Sequence, residues 1–276
     1  MILREIIRQL EALAPREAAC DWDNPGLLVG RGDREITKVY VALDATEQVV
    51  EAAVAAGAEL ILTHHPILFH AVKQVNDETP LGRKLLTLIR NDVAVYSMHT
   101  NFDSCPGGMG DLVCAQLGLE NLGPMELSSY QEANVVVTEA AAEGRQVNRR
   151  YGIGFVAELP ETMTVRELAA LVKERFGLPF VNFFDAERPI RRIACCPGSG
   201  RGEMENVLHC HVDAFLTGDM GHHDGLEYVE EGISLLDAGH YGLEHVFVPA
   251  AAAYMRQHFP EIEVLEAELR FPIEAV

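Results

Sequence analysis

The sequence predicts an α/β fold with mixed, mostly parallel sheets. Short strands rich in β-branched residues alternate with helices through the first half of the chain, and the same alternation returns near its end. The two stretches also resemble each other, which indicates an internal repeat. Alternation of this kind places helices on the faces of a parallel sheet and gathers loop residues at the carboxyl ends of its strands.

The elements of the first half follow from hydrophobic periodicity. Aliphatic residues at helical spacing, with Arg4 and Arg8 among them, predict an amphipathic surface helix at the N terminus rather than a signal peptide. The other predicted elements of this half are the strand 38–43, the helix 46–56, the strand 60–62, the helix 81–90 and the strand 93–97.

The later stretch repeats this order after a middle segment at about 125–190. In the middle segment, Thr164 and Glu167 form a predicted capping box for a helix that runs to Phe176. Its predicted strands are 135–138, 152–159 and 181–184. The later stretch has a predicted strand at 192–196, a turn at 197–200, a helix at 203–210, a strand at 213–216, a helix at 225–231 and a strand at 233–236.

The internal repeat is clearest in the residues that follow the strands. AELILTHH (58–65) parallels VDAFLTGD (212–219), and MHTNFD (98–103) parallels GHYGLE (239–244). In the second pair of segments a histidine just past a strand is followed four residues later by a carboxylate: His99 by Asp103, and His240 by Glu244. We therefore predict a duplication in which these histidines and carboxylates have a functional role.

The composition narrows the classes of function. The chain of 276 residues has a formal net charge of −20, which disfavours nucleic acid and anionic lipid as partners. No apolar run reaches the length needed to span a bilayer, so no membrane partner is expected. The six cysteines show no C-x-x-C motif, which predicts reduced thiols and a cytoplasmic location.

Histidines and acids just past predicted strands indicate a metal site. His64 and His65 end one strand, and Pro66 stops the strand ladder there, so the two histidines escape the rule that neighbouring strand residues face opposite ways. Imidazole and carboxylate together suit zinc, manganese or iron. Several such ligands at one sheet edge can hold two ions, one for each member of the histidine doublet, with a bridging carboxylate between them.

Each motif also has a simpler interpretation. A lone His-x-x-x-Glu is usually a surface pair, and a histidine doublet is often one core residue beside one exposed residue. WDNPG can be a turn in which Trp22 anchors the loop by packing. CCPGSG lacks the full glycine pattern of a dinucleotide site, so Cys195 and Cys196 are expected to be packed thiols. GHHD (221–224) offers further ligands, but a solvent-facing loop explains it equally well.

Taken together, six motifs resemble the NIF-three-like proteins, also called GTP cyclohydrolase 1 type 2 homologues or dinuclear metal-centre hexameric proteins. The motifs are WDNPGLLVG, HHPILF, HTNFD, PGGMGDLVCAQLGL, LTGDMGHHD and DAGHYGLEH, and they cover nearly the whole chain in order. The resemblance implies a two-lobed, layered α/β fold of intertwined repeats that assembles into a ring-shaped homohexamer. The expected lobes are a metal-binding lobe at 1–124 plus 235–276 and a second α/β lobe at 125–234.

The resemblance also implies two divalent metal ions, whether zinc, iron or manganese. Five ligand positions of the family fall on His64, His65, Asp103, His240 and Glu244. Glu244 is expected to bridge the ions and His99 to lie close to them, so these two are the predicted catalytic residues. The chain departs from many relatives at Phe155, where an arginine is common, so any help from that arginine in holding an anionic substrate is missing here.

Two classes of function remain open. The first is a dinuclear-metal-dependent hydrolase that uses metal-activated water, with a purine nucleotide such as GTP as the implied substrate. The second is a non-catalytic hexameric scaffold for metal storage, delivery or regulation, which would show exchangeable metal and no turnover. A ring that threads DNA is a third interpretation, and the net charge disfavours it.

Overall fold

A computed structural model describes residues 1–130 and 151–276. The described chain forms two compact units, one of Met1–Phe102 with Phe247–Leu269 and one of Asp103–Val246 with Arg270–Val276. These boundaries differ from those of the lobes expected at 1–124 plus 235–276 and at 125–234, which remain a prediction about domains. The strand predicted at 135–138 lies outside the described residues.

The helices and strands alternate as the sequence predicts. The helices are α1 (Leu3–Leu13), α2 (Glu47–Ala55), α3 (Pro80–Arg90), α4 (Thr100–Ser104), α5 (Met109–Leu117), α6 (Val165–Phe176), α7 (Met204–His209), α8 (His222–Glu230), α9 (His240–Glu244) and α10 (Phe247–His258). The strands are β1 (Gly26–Val29), β2 (Lys38–Ala42), β3 (Leu60–Thr63), β4 (Ala94–Ser97), β5 (Glu126–Leu127), β6 (Gly152–Ile153), β7 (Phe155–Met163), β8 (Asn182–Phe184), β9 (Ile190–Ser199), β10 (Ala214–Gly218), β11 (Ser234–Asp237) and β12 (Glu263–Glu266). Within the described ranges, none of these helices is both long and apolar enough to cross a membrane.

The sheet of the first unit has the strand order β1-β4-β3-β2-β12. Four of these strands run parallel, and β1 pairs antiparallel with β4 at one edge. Buried aliphatic side chains such as Ile61 and Val95 pack against the apolar faces of α2 and α3. Because β3 and β4 are parallel neighbours, their carboxyl ends meet at one edge, where the hydroxyls of Thr63 and Ser97 lie 2.7 Å apart.

The sheet of the second unit has the order β7-β9-β10-β11-β8. Its three central strands run parallel, and β7 and β8 pair antiparallel at the two edges. The ring of Phe215 stacks on Tyr228 in its core, with 5.3 Å between ring centroids. The capping box of α6 is confirmed: Glu167 N donates to Thr164 Oγ1, and Thr164 N donates to the Glu167 carboxylate.

In this unit one local prediction is wrong, and one of two open interpretations is excluded. Residues 197–200 were expected to form a turn, but β9 continues to Ser199 and passes through Gly198 with φ +80°. Residues 221–224 were open to a loop interpretation, but α8 begins at His222 and takes both histidines of GHHD into its first turn. In the first case the positive φ of a glycine bends the strand without ending it.

The two units share a structural pattern that confirms the internal repeat and corrects its alignment. Met98 N donates to Thr63 O in the first unit, and Ala238 N donates to Thr217 O in the second, each at 2.9 Å. Met98 therefore corresponds to Ala238, one residue earlier than in the predicted match of 98–103 with 239–244. The correspondence of 58–65 with 212–219 agrees with this register.

Candidate metal centre

Three histidines converge at the carboxyl ends of β3 and β4 in the first unit. The ring centroids of His64 and His65 are 4.8 Å apart, and His99 lies 5.2 Å from the first ring and 5.5 Å from the second. One potential ligand atom from each residue lies within 4.8 Å of the others. The adjacent histidines can share this position because the strand has ended, and Thr63 Oγ1 donates to His65 O across the turn that follows.

Carboxylates accept hydrogen bonds from Nδ1 of two of these rings. His65 Nδ1 lies 2.8 Å from Asp44 Oδ1, and His99 Nδ1 lies 2.7 Å from Asp23 Oδ1. A neutral imidazole that donates through Nδ1 carries its lone pair on Nε2, so this bonding selects Nε2 as the metal-binding atom. The arrangement is the one in which metal-ligating histidines are usually found.

His64 is held by backbone and packing rather than by a carboxylate. The residue is fully buried, and its Nδ1 donates to Met98 O at 2.7 Å. Its ring lies 5.3 Å from that of Phe247 and 6.5 Å from that of Phe102. These contacts fix the orientation of the His64 ring in the same way. Because Nδ1 carries the proton that is donated to Met98 O, the lone pair of the neutral ring is on Nε2.

Asp23 does more than orient one ring. Its side chain is fully buried, and it also accepts hydrogen bonds from the backbone N and the hydroxyl of Thr100. Burial acts to raise the pKa of the Asp23 carboxyl, but the hydrogen bonds from His99 and Thr100 outweigh it, and the pKa lies below its ordinary value. The ionised carboxylate therefore ties the loop before β1 to the start of α4.

The second unit contains a histidine–carboxylate pair on one helical turn. His240 begins α9, and its Nε2 lies 3.0 Å from the Oε2 of Glu244, four residues later. Asp219, at the end of β10, accepts from His240 Nδ1 at 2.8 Å. Glu244 is buried, with 3% of its surface exposed. A carboxylate removed from water in this way requires a compensating positive charge or a proton.

Asp103 brings a second carboxylate to Glu244. Ligand atoms of the two residues lie within 4.8 Å of each other. Two carboxylates at this separation repel unless a proton or a cation lies between them. Since Glu244 contacts His240 on one side and lies close to Asp103 on the other, its position suits a carboxylate shared by two cations.

Among the described residues, no group that could hold a metal ion includes a cysteine. Burial, together with nearby acidic groups that include Asp103 and Glu244, raises the pKa of Cys196 well above its ordinary value. Burial does the same for Cys195. Both thiols therefore stay protonated within β9, which agrees with the expectation of packed thiols.

Gly198 shapes this pair. A Cβ atom at Gly198 would lie 2.5 Å from Glu244 Oε1 and 3.5 Å from His240 Nε2. Its φ of +80° also lies in the region that side chains rarely adopt. The glycine of PGSG is thus required for close approach of the backbone to the carboxylate, a role that the sequence motif alone did not reveal.

Three carboxylates that orient histidines were missed from the sequence. Asp23, Asp44 and Asp219 lie 76, 21 and 21 residues from the rings they hold. Asp44 and Asp219 each come one or two residues after a strand, which is the same signal that identifies the histidines.

The expectation that Trp22 anchors its loop by packing is wrong. Its side chain is 62% exposed. The loop is held instead by Asp23 and by Asn24, whose Nδ2 donates to Leu68 O at 2.6 Å. Polar side chains next to the tryptophan thus perform the anchoring.

Comparison with known proteins agrees with the fold and the motifs. Residues 1–271 match the family model described as Duf34/NIF3 (NGG1p interacting factor 3). A GTP cyclohydrolase 1 type 2 homolog of Clostridium perfringens is 38% identical over 88% of this chain and 87% of its own length. A protein with the same name from Streptomyces coelicolor is 36% identical over 92% of this chain and 85% of its own length.

Solved structures show the same architecture. Staphylococcus aureus protein SA1388 superposes with a TM-score of 0.86 at 29% identity, covering 100% of this chain and 99% of that one. The Bacillus cereus protein related to NIF3 superposes with a TM-score of 0.88 at 21% identity, with the same coverage of both chains, and shows the fold alone. The chain therefore belongs to the Duf34/NIF3 family.

Proposed function

We propose that this protein is a dinuclear-metal-dependent hydrolase. Its proposed metal ligands are His64, His65, Asp103, His240 and Glu244. The observation that carries the proposal is the bonding of the histidines: each of the rings named here, and that of His99, has its Nδ1 committed to a carboxylate or a carbonyl. This bonding selects the tautomer in which the lone pair is on Nε2, the nitrogen that we propose as the metal-binding atom.

The donor set suits zinc, iron or manganese. Imidazole nitrogens with carboxylate oxygens are the ligands these metals share, and among the described residues the groups that could hold an ion contain only His, Asp and Glu. Divalent cations bound in pairs lower the pKa of water and polarise the oxygen of an electrophile. We propose two such ions because the chain presents more donors than one tetrahedral ion takes up.

Glu244 and His99 have distinct proposed roles beside the metals. Glu244 is placed to bridge, since it lies close to both Asp103 and His240 and is almost fully buried. His99 is held by the ionised Asp23 and lies beside His64 and His65, where it can orient a reacting group or pass a proton. Asp44 and Asp219 keep the ligand rings in one tautomer.

We propose a purine nucleotide as substrate, with opening of its imidazole ring as the reaction. This follows the name of the curated relatives, GTP cyclohydrolase 1 type 2 homolog. Phe155 is fully buried in β7, so this position presents no cation to a phosphate. We further propose that the chain acts as a cytoplasmic homohexamer.

Removal of metal tests the proposal directly. Protein treated with a strong chelator is expected to lose hydrolysis of GTP and related purine nucleotides, and added zinc, manganese or iron(II) is expected to restore it. The reason is that the protein side chains hold the cations but cannot themselves activate water or polarise the substrate as the cations do. Turnover is measured by product chromatography, and circular dichroism checks that the stripped protein stays folded.

The same experiment distinguishes the hydrolase from a non-catalytic metal-binding scaffold. A folded protein that binds and exchanges metal without turning over any nucleotide or phosphoester would contradict the hydrolase. It would assign the metal centre to a storage, delivery or regulatory scaffold.

A further inference from the structure

An exposed aromatic pair lies beside the metal-binding histidines of the first unit. Trp22 is 62% exposed and Phe69 is 44% exposed. Large apolar side chains that are scattered singly on a surface need no explanation, but two in contact next to a candidate catalytic site form a small apolar patch. The two residues belong to the WDNPG and HHPILF motifs, whose aromatic residues have no role in metal binding.

Trp22 is exposed on a loop that hydrogen bonds hold in place. Asp23 is bonded to His99 and Thr100, and Asn24 Nδ2 donates to Leu68 O, next to Phe69. Cys20 N also donates to Thr100 Oγ1 at 2.9 Å. Because the residues on both sides of Trp22 are tethered, the ring is presented to solvent in a defined place, which lowers the entropy lost when a ligand binds.

The two rings meet edge to face rather than in a parallel stack, and the ring of His70 also lies against Phe69, with 4.9 Å between centroids. The ring centroids of Trp22 and Phe69 are 5.9 Å apart and the ring planes meet at 62°. The centroid of His99 lies 6.1 Å from the first ring and 6.3 Å from the second. A flat ligand lying on one ring would contact the other with its edge, and it would face the imidazole beside it.

We propose that Trp22 and Phe69 bind a planar heteroaromatic ring of the substrate next to the metal-binding histidines. This rests on the proposed hydrolase function and deepens it, because it assigns residues that position the substrate. A base can stack on an aromatic side chain whatever its identity, because every base has a π-face. In residues 16–22 the exposed acids Glu17 and Asp21 outnumber the exposed base Arg16, so this side of the loop favours an uncharged ring over a phosphate group.

Trp22 is the single tryptophan of the chain, so its fluorescence reports on this site alone. Full-length protein is titrated with guanosine, adenosine and ribose 5-phosphate, with excitation at the red edge of the tryptophan absorption. We expect saturable quenching by both nucleosides and none by ribose 5-phosphate. Phe69→Ala is expected to weaken nucleoside binding about tenfold.

The matched control is Ile89→Ala, since Ile89 lies in the same unit and is equally exposed, at 62%. It should bind the nucleosides as the parent does. Calorimetry on Trp22→Phe and Trp22→Ala gives a second measurement that does not depend on Phe69. The phenylalanine variant should retain binding, and the alanine variant should lose about tenfold.

Several outcomes would overturn the inference. Quenching that rises linearly with every probe, or that is equal in the parent and Phe69→Ala, would show collision without a site. Two results together would assign the aromatic pair to a contact between copies of the chain. These are non-saturable quenching in the parent and a molar mass in solution that differs between Trp22→Ala and the parent.

The outcomes for the ring site and for the hydrolase are separable. Saturable quenching without turnover of any nucleotide would support the ring site and contradict the hydrolase. Metal-dependent turnover with an unchanged KM in Trp22→Ala would support the hydrolase and contradict the ring site.

Discussion

Glu244→Gln is expected to reduce metal-dependent turnover by more than about 100-fold, since even residues that only orient ligands typically cost 10- to 100-fold when replaced. Glutamine keeps the shape of the side chain and can still bond His240 Nε2, which lies 3.0 Å from the carboxylate. It loses the charge needed to hold two cations close together. Turnover and bound metal are measured in the same preparation.

The same variant is expected to fold at least as stably as the parent when metal is removed. Glu244 is buried close to the carboxylate of Asp103, and an uncharged amide relieves both the desolvation and the repulsion. Glu227→Gln, on an exposed position of α8, is the matched control and should leave turnover unchanged. Full activity of Glu244→Gln with metal still bound would contradict the bridging role.

Gly198→Ala is expected to cost more than 10-fold in metal affinity and about 1–3 kcal/mol in the free energy of unfolding. The new Cβ would lie 2.5 Å from Glu244 Oε1, so the carboxylate must leave its position beside His240. The backbone at φ +80° adds strain of its own. Metal affinity is measured by competition with a chelator, and stability by denaturant unfolding.

Gly202→Ala is the control that separates backbone strain from the steric clash with the Glu244 carboxylate. Gly202 has a similar φ of +87°, but a Cβ there would meet no atom of residues 1–130 or 151–276 within 4 Å. This variant should lose comparable stability and keep its metal. Equal metal affinities of the two variants would show that Gly198 is needed only for backbone conformation and not for the carboxylate.

Local features of the fold were predictable because their physical cause lies in neighbouring residues. Thr164 and Glu167 form the cap that their spacing predicts, and the strand that ends at Thr63 stops where Pro66 prevents a continuing ladder. The pairing of His240 with Glu244 follows from one turn of helix. In each case the interacting groups lie within four residues, so periodicity and capping rules suffice.

Features that depend on distant residues were not predictable. Asp23 reaches His99 across 76 residues, and nothing in WDNPG distinguishes this carboxylate from a turn former. Gly198 was read as part of a turn because its role depends on Glu244, which approaches only in the folded unit. The simpler interpretation of WDNPG has Trp22 anchoring its loop by packing, whereas the neighbours of Trp22 hold the loop. Long-range pairing needs the sheet register, which the sequence alone did not specify.

The alignment of the internal repeat shows the same limit. The sequence matches His99 with His240, but strand pairing aligns Met98 with Ala238 and therefore His99 with Gly239. Similar chemistry thus occupies positions offset by one residue in the two units. The local sequence similarity identified the repeat, and only the hydrogen bonds at the strand ends fixed its register.

We propose that the histidine and carboxylate ligands named above hold two metal ions, and elemental analysis tests this most directly. Protein purified without added metal is compared with a His64→Ala, His240→Ala double variant, which removes one proposed ligand from each unit. A His222→Ala, His223→Ala double variant, at exposed positions of α8, is the matched control. We expect about two equivalents of zinc, iron or manganese in the parent and the control, and their loss in the first variant. A parent that never carries metal, or a first variant that retains the full amount, would contradict it.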